Sequence, residues 1–297
     1  MINIGRHSIL FFVFTTQICL VQESNKETAA MQTERYNRGW EKLKEIDGEA
    51  GEKVIQSLKD ISPDLGRFII EYAFGDVYSR DGLHLKSKEI AVVAALTAMG
   101  NAQPQLKVHL HGALNTGSTI NEIKEVILQM VVYSGFPNSL NSMNAFKEVL
   151  SERKEHGLND EIGKEPSNLQ SDSRLEQGEK ELSKLDSSQV QRLQDAYQEF
   201  APDLVKLTLE FGYGDIFSRD NLDKKHRQIA TIAALTALGN ASPQLKFHIN
   251  AGLNIGLSIE NIREIMLLMT VYAGFPAAIN GTNALKEAVN ERLKAKD

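Results

Sequence analysis

Apolar positions along this chain recur at helical spacing, interrupted by proline and glycine rather than by alternating strand-like runs. Between Lys86 and Gly100, Ile90, Val93, Ala94, Thr97 and Ala98 share one face, and its small residues allow a neighbouring helix to approach closely. Pro104 suits the first turn of the next helix, which carries Leu106, Leu110, Ala113 and Leu114 on one side and stops at Gly117. Thr119 followed by Glu122 is a capping box opening a third helix through Ile123, Val126, Ile127 and Met130. Gly135-Phe136-Pro137 marks a sharp break before a last helix through Asn144 and Lys147.

Every one of these signals returns at an offset of 139 residues. Pro63 to Glu152 aligns with Pro202 to Glu291 without a gap, and half of the aligned positions are identical. The leading segments Arg35 to Ile61 and Arg174 to Phe200 also match, at Arg35 and Arg174, Gly39 and Gly178, Leu43 and Leu182, Asp47 and Asp186. An internal duplication therefore predicts two tandem all-α domains, 35–152 and 174–291, forming a pseudo-dimer within one chain. The polar, period-free stretch 153–173 reads as the connection between them.

Composition narrows the partners. A net charge of -6, with both signs interleaved through each repeat, leaves no basic stripe and argues against nucleic acid. The single cysteine, Cys19, lies outside both repeats, so neither an intrachain disulfide nor a thiolate metal cluster can form. Residues 1–22 place Arg6 and His7 before the apolar run Ile9 to Phe14, the order of an export signal. The segment is too short and interrupted to span a bilayer. The expectation is an exported, periplasmic or secreted protein whose mature chain begins between Gln22 and Thr33, with no membrane span after signal removal; the alternative is an ordinary apolar N-terminus and a cytoplasmic protein.

The ordered series Glu71, Gly75-Asp76, Ser79-Arg80, Leu83, Gly100-Asn101, His109, Leu114-Asn115, Gly117, Glu122-Ile123 and Tyr133-Ser134-Gly135-Phe136-Pro137 resembles the carboxymuconolactone decarboxylase family. The second repeat resembles it equally, through Gly214-Asp215, Arg219, His248, Leu253-Asn254, Gly256, Glu264 and Tyr272-Ala273-Gly274-Phe275-Pro276. The resemblance implies helical domains that pair and assemble into a ring-like hexamer, hence a homotrimer of two-domain chains here. It also implies a small-molecule carboxylate or lactone substrate. Hydroperoxidase-like members of that family carry a CxxC pair before the histidine. The matching positions here are Ala102 and Gln105, and Ala241 and Gln244, so peroxide reduction through a dithiol is not expected.

Decarboxylation of an unsaturated lactone acid needs no cofactor, because the electron pair left by CO2 passes through the double bond into the lactone carbonyl. The protein must hold the anion, stabilise the developing enolate and return a proton to carbon. His109 and His248 sit one turn from Leu106 and Leu245 on the inward side of a helix, where imidazole could deliver that proton; a core histidine satisfied by a carbonyl is the competing role. Arg80 and Arg219 suit bidentate carboxylate binding, or pairing with a loop aspartate such as Asp76 or Asp81. Glu71 and Glu210 precede the arginines and could orient them or shuttle protons, whereas Glu125 and Glu264 read as solvated carboxylates. His109 and His111 point to different sides of a helix, so no metal site is expected from them. The alternative to catalysis is an oligomeric binding or scaffold protein that keeps these residues for packing.

Overall fold

The computed structural model describes residues 34–167 and 173–295, and among them no strand occurs. The expected export segment at 1–22, together with Cys19, lies outside these residues, as does part of the connection 153–173. In the first repeat α1 (34–57) is followed by α2 (Pro63–Phe68), which runs directly into a wide helical segment, Ile69–Tyr78. Then come α3 (Leu85–Met99), α4 (Gln103–Asn115), α5 (Ile120–Gln129) and α6 (Val131–Glu155). The second repeat supplies α7 (Arg174–Leu185), α8 (Gln189–Tyr197), α9 (Pro202–Leu207) with its wide continuation Thr208–Phe217, α10 (Lys224–Leu238), α11 (Ser242–Asn254), α12 (Ile259–Tyr272) and α13 (Phe275–Lys294). The chain is all-α, with two tandem domains of one design.

The local signals operate as physics requires. Gly100 and Gly239 end α3 and α10 at φ 70° and 67°, a left-handed backbone that costs glycine little. Thr119 and Ser258 each close a reciprocal capping box, with Asn261 serving where Glu122 serves in the first copy. Gly135, at φ 81° and ψ 169°, breaks α6 so that Phe136 and Pro137 start a new helical axis. Gly75-Asp76, despite its turn-like composition, lies inside the wide helix Ile69–Tyr78, which ends with the Ser79 N–H donating to the Phe74 carbonyl five residues back. The leading helix packs on this segment so tightly that a side chain at Gly39 would meet the Ile70 carbonyl at 1.9 Å; Gly178 stands in the same relation to Leu209.

Helices α3 and α10 pack together at the centre, carrying fully buried Ile90, Ala91, Ala94 and Ala95 against Ala230, Ala233 and Ala234. Contacts across this junction are reciprocal. Arg80 Nε donates to both Glu264 carboxylate oxygens at 2.9 and 3.0 Å, and Arg219 Nε to both of Glu125 at 2.9 Å. The two halves are thus related by an approximate two-fold axis, and equivalent residues meet where it passes. No described helix is long and apolar enough to cross a membrane.

Candidate active site

His109 lies on α4, buried to 6% exposure, and its Nδ1 is 3.0 Å from Glu89 Oε2 on α3. The other Glu89 oxygen accepts the Tyr78 hydroxyl at 2.7 Å, and Tyr78 meets the Tyr272 hydroxyl of the second repeat at 2.8 Å. Asp47, at the bend of α1 where Gly48 adopts φ 54°, completes the cluster; one ligand-type atom from each of Asp47, Glu89 and His109 lies within 4.8 Å of the others. Asp47 Oδ1 is buried without a hydrogen-bond partner. Gly112 makes room for all this: a methyl there would sit 2.8 Å from Glu89 Oε2 and 2.9 Å from Asp47 Oδ1.

The electrostatics follow from two carboxylates and an imidazole out of water. Burial raises the Asp47 carboxyl to about 7, with Glu89 adding to the rise and His109 opposing it. Burial alone would push His109 down, but the charge and hydrogen bond of Glu89, helped by Asp47, hold it above its ordinary value. Burial and the same carboxylates keep the Tyr78 and Tyr272 phenols protonated far above neutrality. Burial of the carboxyl and the anionic neighbours of the imidazole thus both favour protons staying on the cluster, the condition for a general acid. These three groups could equally embrace a divalent cation by chemistry alone, but His109 Nδ1 is already engaged by Glu89.

Asp47 and His109 form the polar floor of a cavity of about 280 Å³ whose walls include Leu43, Ile55, Phe74 and Val271. Ala102 and Gln105, the positions where a dithiol would stand, line it too, and Tyr272 closes it from the other repeat. Neither Lys nor Arg contributes to the lining.

The second repeat has the same scaffold and different chemistry. Gln228 replaces Glu89 and holds His248 Nδ1 at 2.9 Å; Phe217 replaces Tyr78, and Ala251 replaces Gly112. Asp186, the counterpart of Asp47, turns outward to Ser188 and Arg192 because Ser187 follows it in place of a glycine bend. Without a carboxylate, burial drives His248 down to about 3. The missing tyrosine has a further effect. Tyr133, with no Tyr78 counterpart to bind, sits 3.2 Å from His248 Nε2, whereas Tyr272 is drawn to Tyr78 and His109 Nε2 receives no hydrogen bond from the described residues.

The other expected site residues do not join the cavity. Arg80 and Arg219 bridge the repeats through Glu264 and Glu125, and these two glutamates, expected in solvent, are each 2% exposed. Glu71, also buried, faces Arg67 at 3.2 Å, and Glu210 is 3.8 Å from Arg174; neither lines the cavity. Of the six residues singled out from sequence, His109 alone stands in the acid cluster. Glu89 gives no signal as a repeated residue, since Gln228 stands at its equivalent position, and that difference is what distinguishes the copies. Asp47 was visible only as a matched helix position.

The carboxymuconolactone decarboxylase family model matches residues 63–148 and again 202–287. The chain belongs to this family. A stretch of 120 residues is 34% identical to the 4-carboxymuconolactone decarboxylase of Acinetobacter baylyi, covering 40% of this chain and 89% of that protein. An uncharacterized 15.0 kDa protein of Paracoccus denitrificans is 31% identical over 34% of this chain and 76% of its own length. The nitrosuccinic acid decarboxylase of Metarhizium robertsii is 30% identical over 30% of this chain and 62% of its own length. The family model matches each repeat once, whereas the acid cluster belongs to the first repeat alone.

Proposed function

We propose that this protein decarboxylates a small unsaturated lactone acid, or an acid similarly activated beside an electron-withdrawing group, without a cofactor, and that the first repeat is the catalytic half. The observation that carries the reading is the buried Asp47–Glu89–His109 cluster, whose Asp47 and His109 form the floor of an apolar cavity, with no counterpart in the second repeat. Names of relatives support the reaction class, since one is a 4-carboxymuconolactone decarboxylase and another a nitrosuccinic acid decarboxylase.

In this reading the substrate carboxylate leaves water for apolar walls, which favours its loss as neutral CO2. The His109 imidazolium, held charged by Glu89, faces the enolate that forms, and its Nε2 returns the proton to carbon. Asp47, protonated near neutrality, replaces that proton. The second repeat contributes Tyr272 and the packing surface on which the first is built.

The experiment is CO2 release from 4-carboxymuconolactone and from nitrosuccinate, in the presence of a chelator, by wild type, His109→Gln and His248→Gln. His109→Gln loses on the order of 100- to 10,000-fold in rate, as expected for removal of a positioned acid. His248→Gln retains activity. Equal losses in both variants, or turnover of neither substrate, would remove the basis for a catalytic first repeat.

Two further parts of the reading concern the whole molecule. Self-association as a ring of three chains is supported by exposed apolar side chains repeated in both halves: Leu65 and Leu204, Phe136 and Phe275, and Leu140 and Ile279 are exposed in matching pairs. Export is supported by the charged-then-apolar order of residues 1–22, and the N-terminus of protein recovered from fractionated cells tests it.

A further inference from the structure

Ser87 and His226 are equivalent positions of the two repeats, and the pseudo-two-fold axis brings them face to face with Ser87 Oγ 3.0 Å from His226 Nε2. Had the copies stayed identical here, serine would meet serine or histidine meet histidine. Behind the imidazole, Asp223 Oδ2 accepts from His226 Nδ1, while Asp223 Oδ1 caps the His226 backbone N–H at 3.0 Å and so fixes the carboxylate. A carboxylate can only accept, so Nδ1 carries the proton and Nε2 presents its lone pair to the serine hydroxyl.

We propose that Ser87, His226 and Asp223 form a second catalytic site, a serine esterase centre for small carboxylic esters, independent of the Asp47–Glu89–His109 cluster. The three residues line a cleft of about 540 Å³ at the junction of the repeats. Leu83, Ile229 and Leu257 give it an apolar wall for a short acyl chain, and His84, Lys225 and Asn261 a polar side for the leaving group. Ser87 is the third residue of α3, a 15-residue helix whose N-cap, His84, provides no side-chain cap. The Lys86 and Ser87 backbone N–H groups at this positive helix end are placed to bind an oxyanion formed next to Ser87 Oγ.

The reaction balances with water as the only co-reactant. Ser87 Oγ bonds to the ester carbonyl carbon as His226 Nε2 takes the hydroxyl proton; the tetrahedral oxyanion collapses, the ester C–O bond breaks, and the leaving alkoxide takes the proton from His226. Water, deprotonated by His226, then attacks the acyl carbon, and Ser87 departs with the proton returned. The products are one carboxylic acid and one alcohol.

The test uses the full chain with p-nitrophenyl acetate and, separately, an alkyl fluorophosphonate. The expected result is a burst of one p-nitrophenolate per chain, with the acetyl and phosphonyl groups both mapped to Ser87 by peptide mass spectrometry. Ser87→Ala abolishes the burst and leaves decarboxylation untouched. Asp223→Asn, which keeps the helix cap but not the charge, lowers hydrolysis on the order of 100- to 10,000-fold. Absence of an adduct on the wild-type protein, an adduct on another residue, or undiminished hydrolysis by Ser87→Ala overturns the proposal. The wild-type mapping decides the matter even if a variant fails to fold.

Discussion

Replacing Glu89 by Gln would give the first repeat the hydrogen-bonding partner that the second already has. The change is nearly isosteric: the amide oxygen can accept from His109 Nδ1 as that of Gln228 does from His248, while the amide NH2 can donate to the Tyr78 hydroxyl, which now donates to Glu89 at 2.7 Å. The magnitude can be worked from the other half of the same molecule. His248, equally buried but facing Gln228, is driven from 6.5 to about 3. At about 1.4 kcal/mol per pH unit, burial without a carboxylate costs the imidazolium roughly 5 kcal/mol. Glu89 is the main group that reverses this at His109, where the shift is upward despite full burial. The Glu89→Gln protein should therefore hold His109 neutral throughout the physiological range, and decarboxylation should fall on the order of 100-fold or more. Asp47 remains as a weaker anion, so the drop in His109 affinity is expected to stop short of the His248 value. Nitrogen-15 NMR of the ring across pH 4 to 9 reads the first effect without any knowledge of the substrate, and CO2 release reads the second. If His109 in the variant still charged at or above the pH of the wild type, the carboxylate would not be what sustains the imidazolium. The account of catalytic asymmetry would fall with it.

Tyr78→Phe should release the Tyr272 hydroxyl to His109 Nε2, reproducing the Tyr133–His248 contact; occupation of the acid's working nitrogen is expected to lower kcat/KM about tenfold, a single hydrogen bond's worth, and an unchanged rate would refute it. Asp47 has a native pKa of about 7, above its unfolded value near 3.9. The native state therefore holds an extra proton between those limits, and stability present below pH 4 is lost as pH rises through 7, by up to about 1.4 kcal/mol per unit. Asp47→Asn should flatten that slope in urea melts run from pH 4 to 8, and parallel slopes in the two proteins would count against a raised carboxyl. Light scattering of a 33.0 kDa chain should give roughly three times the chain mass. Leu140→Asp with Ile279→Asp should reduce it to one chain, whereas a monomeric wild type at micromolar concentration would dispose of the ring.

The sequence alone was enough to establish the duplication and the helical design, because both are written in local chemistry. A period of apolar residues, a proline in a first turn, a glycine at a left-handed helix end and a serine or threonine cap each act within a few residues. They therefore survive being read in one dimension. His109 was visible for the same reason, as a polar residue one turn from core leucines. What the histidine meets was not visible, since Glu89 lies 20 residues away on another helix and Tyr272 comes from the other repeat. Identity in both copies marks packing as readily as chemistry: Arg80 and Arg219, kept in both, pair with buried glutamates that lock the halves together. Chemical difference arose instead where the copies diverged: Glu89 against Gln228, Tyr78 against Phe217, Gly112 against Ala251, Ser87 against His226. Such differences acquire meaning only from a burial that makes an unpaired charge expensive, and from a pseudo-axis that sets equivalent positions in contact. Both are properties of packing between segments distant in the chain, so only the tertiary structure could decide them.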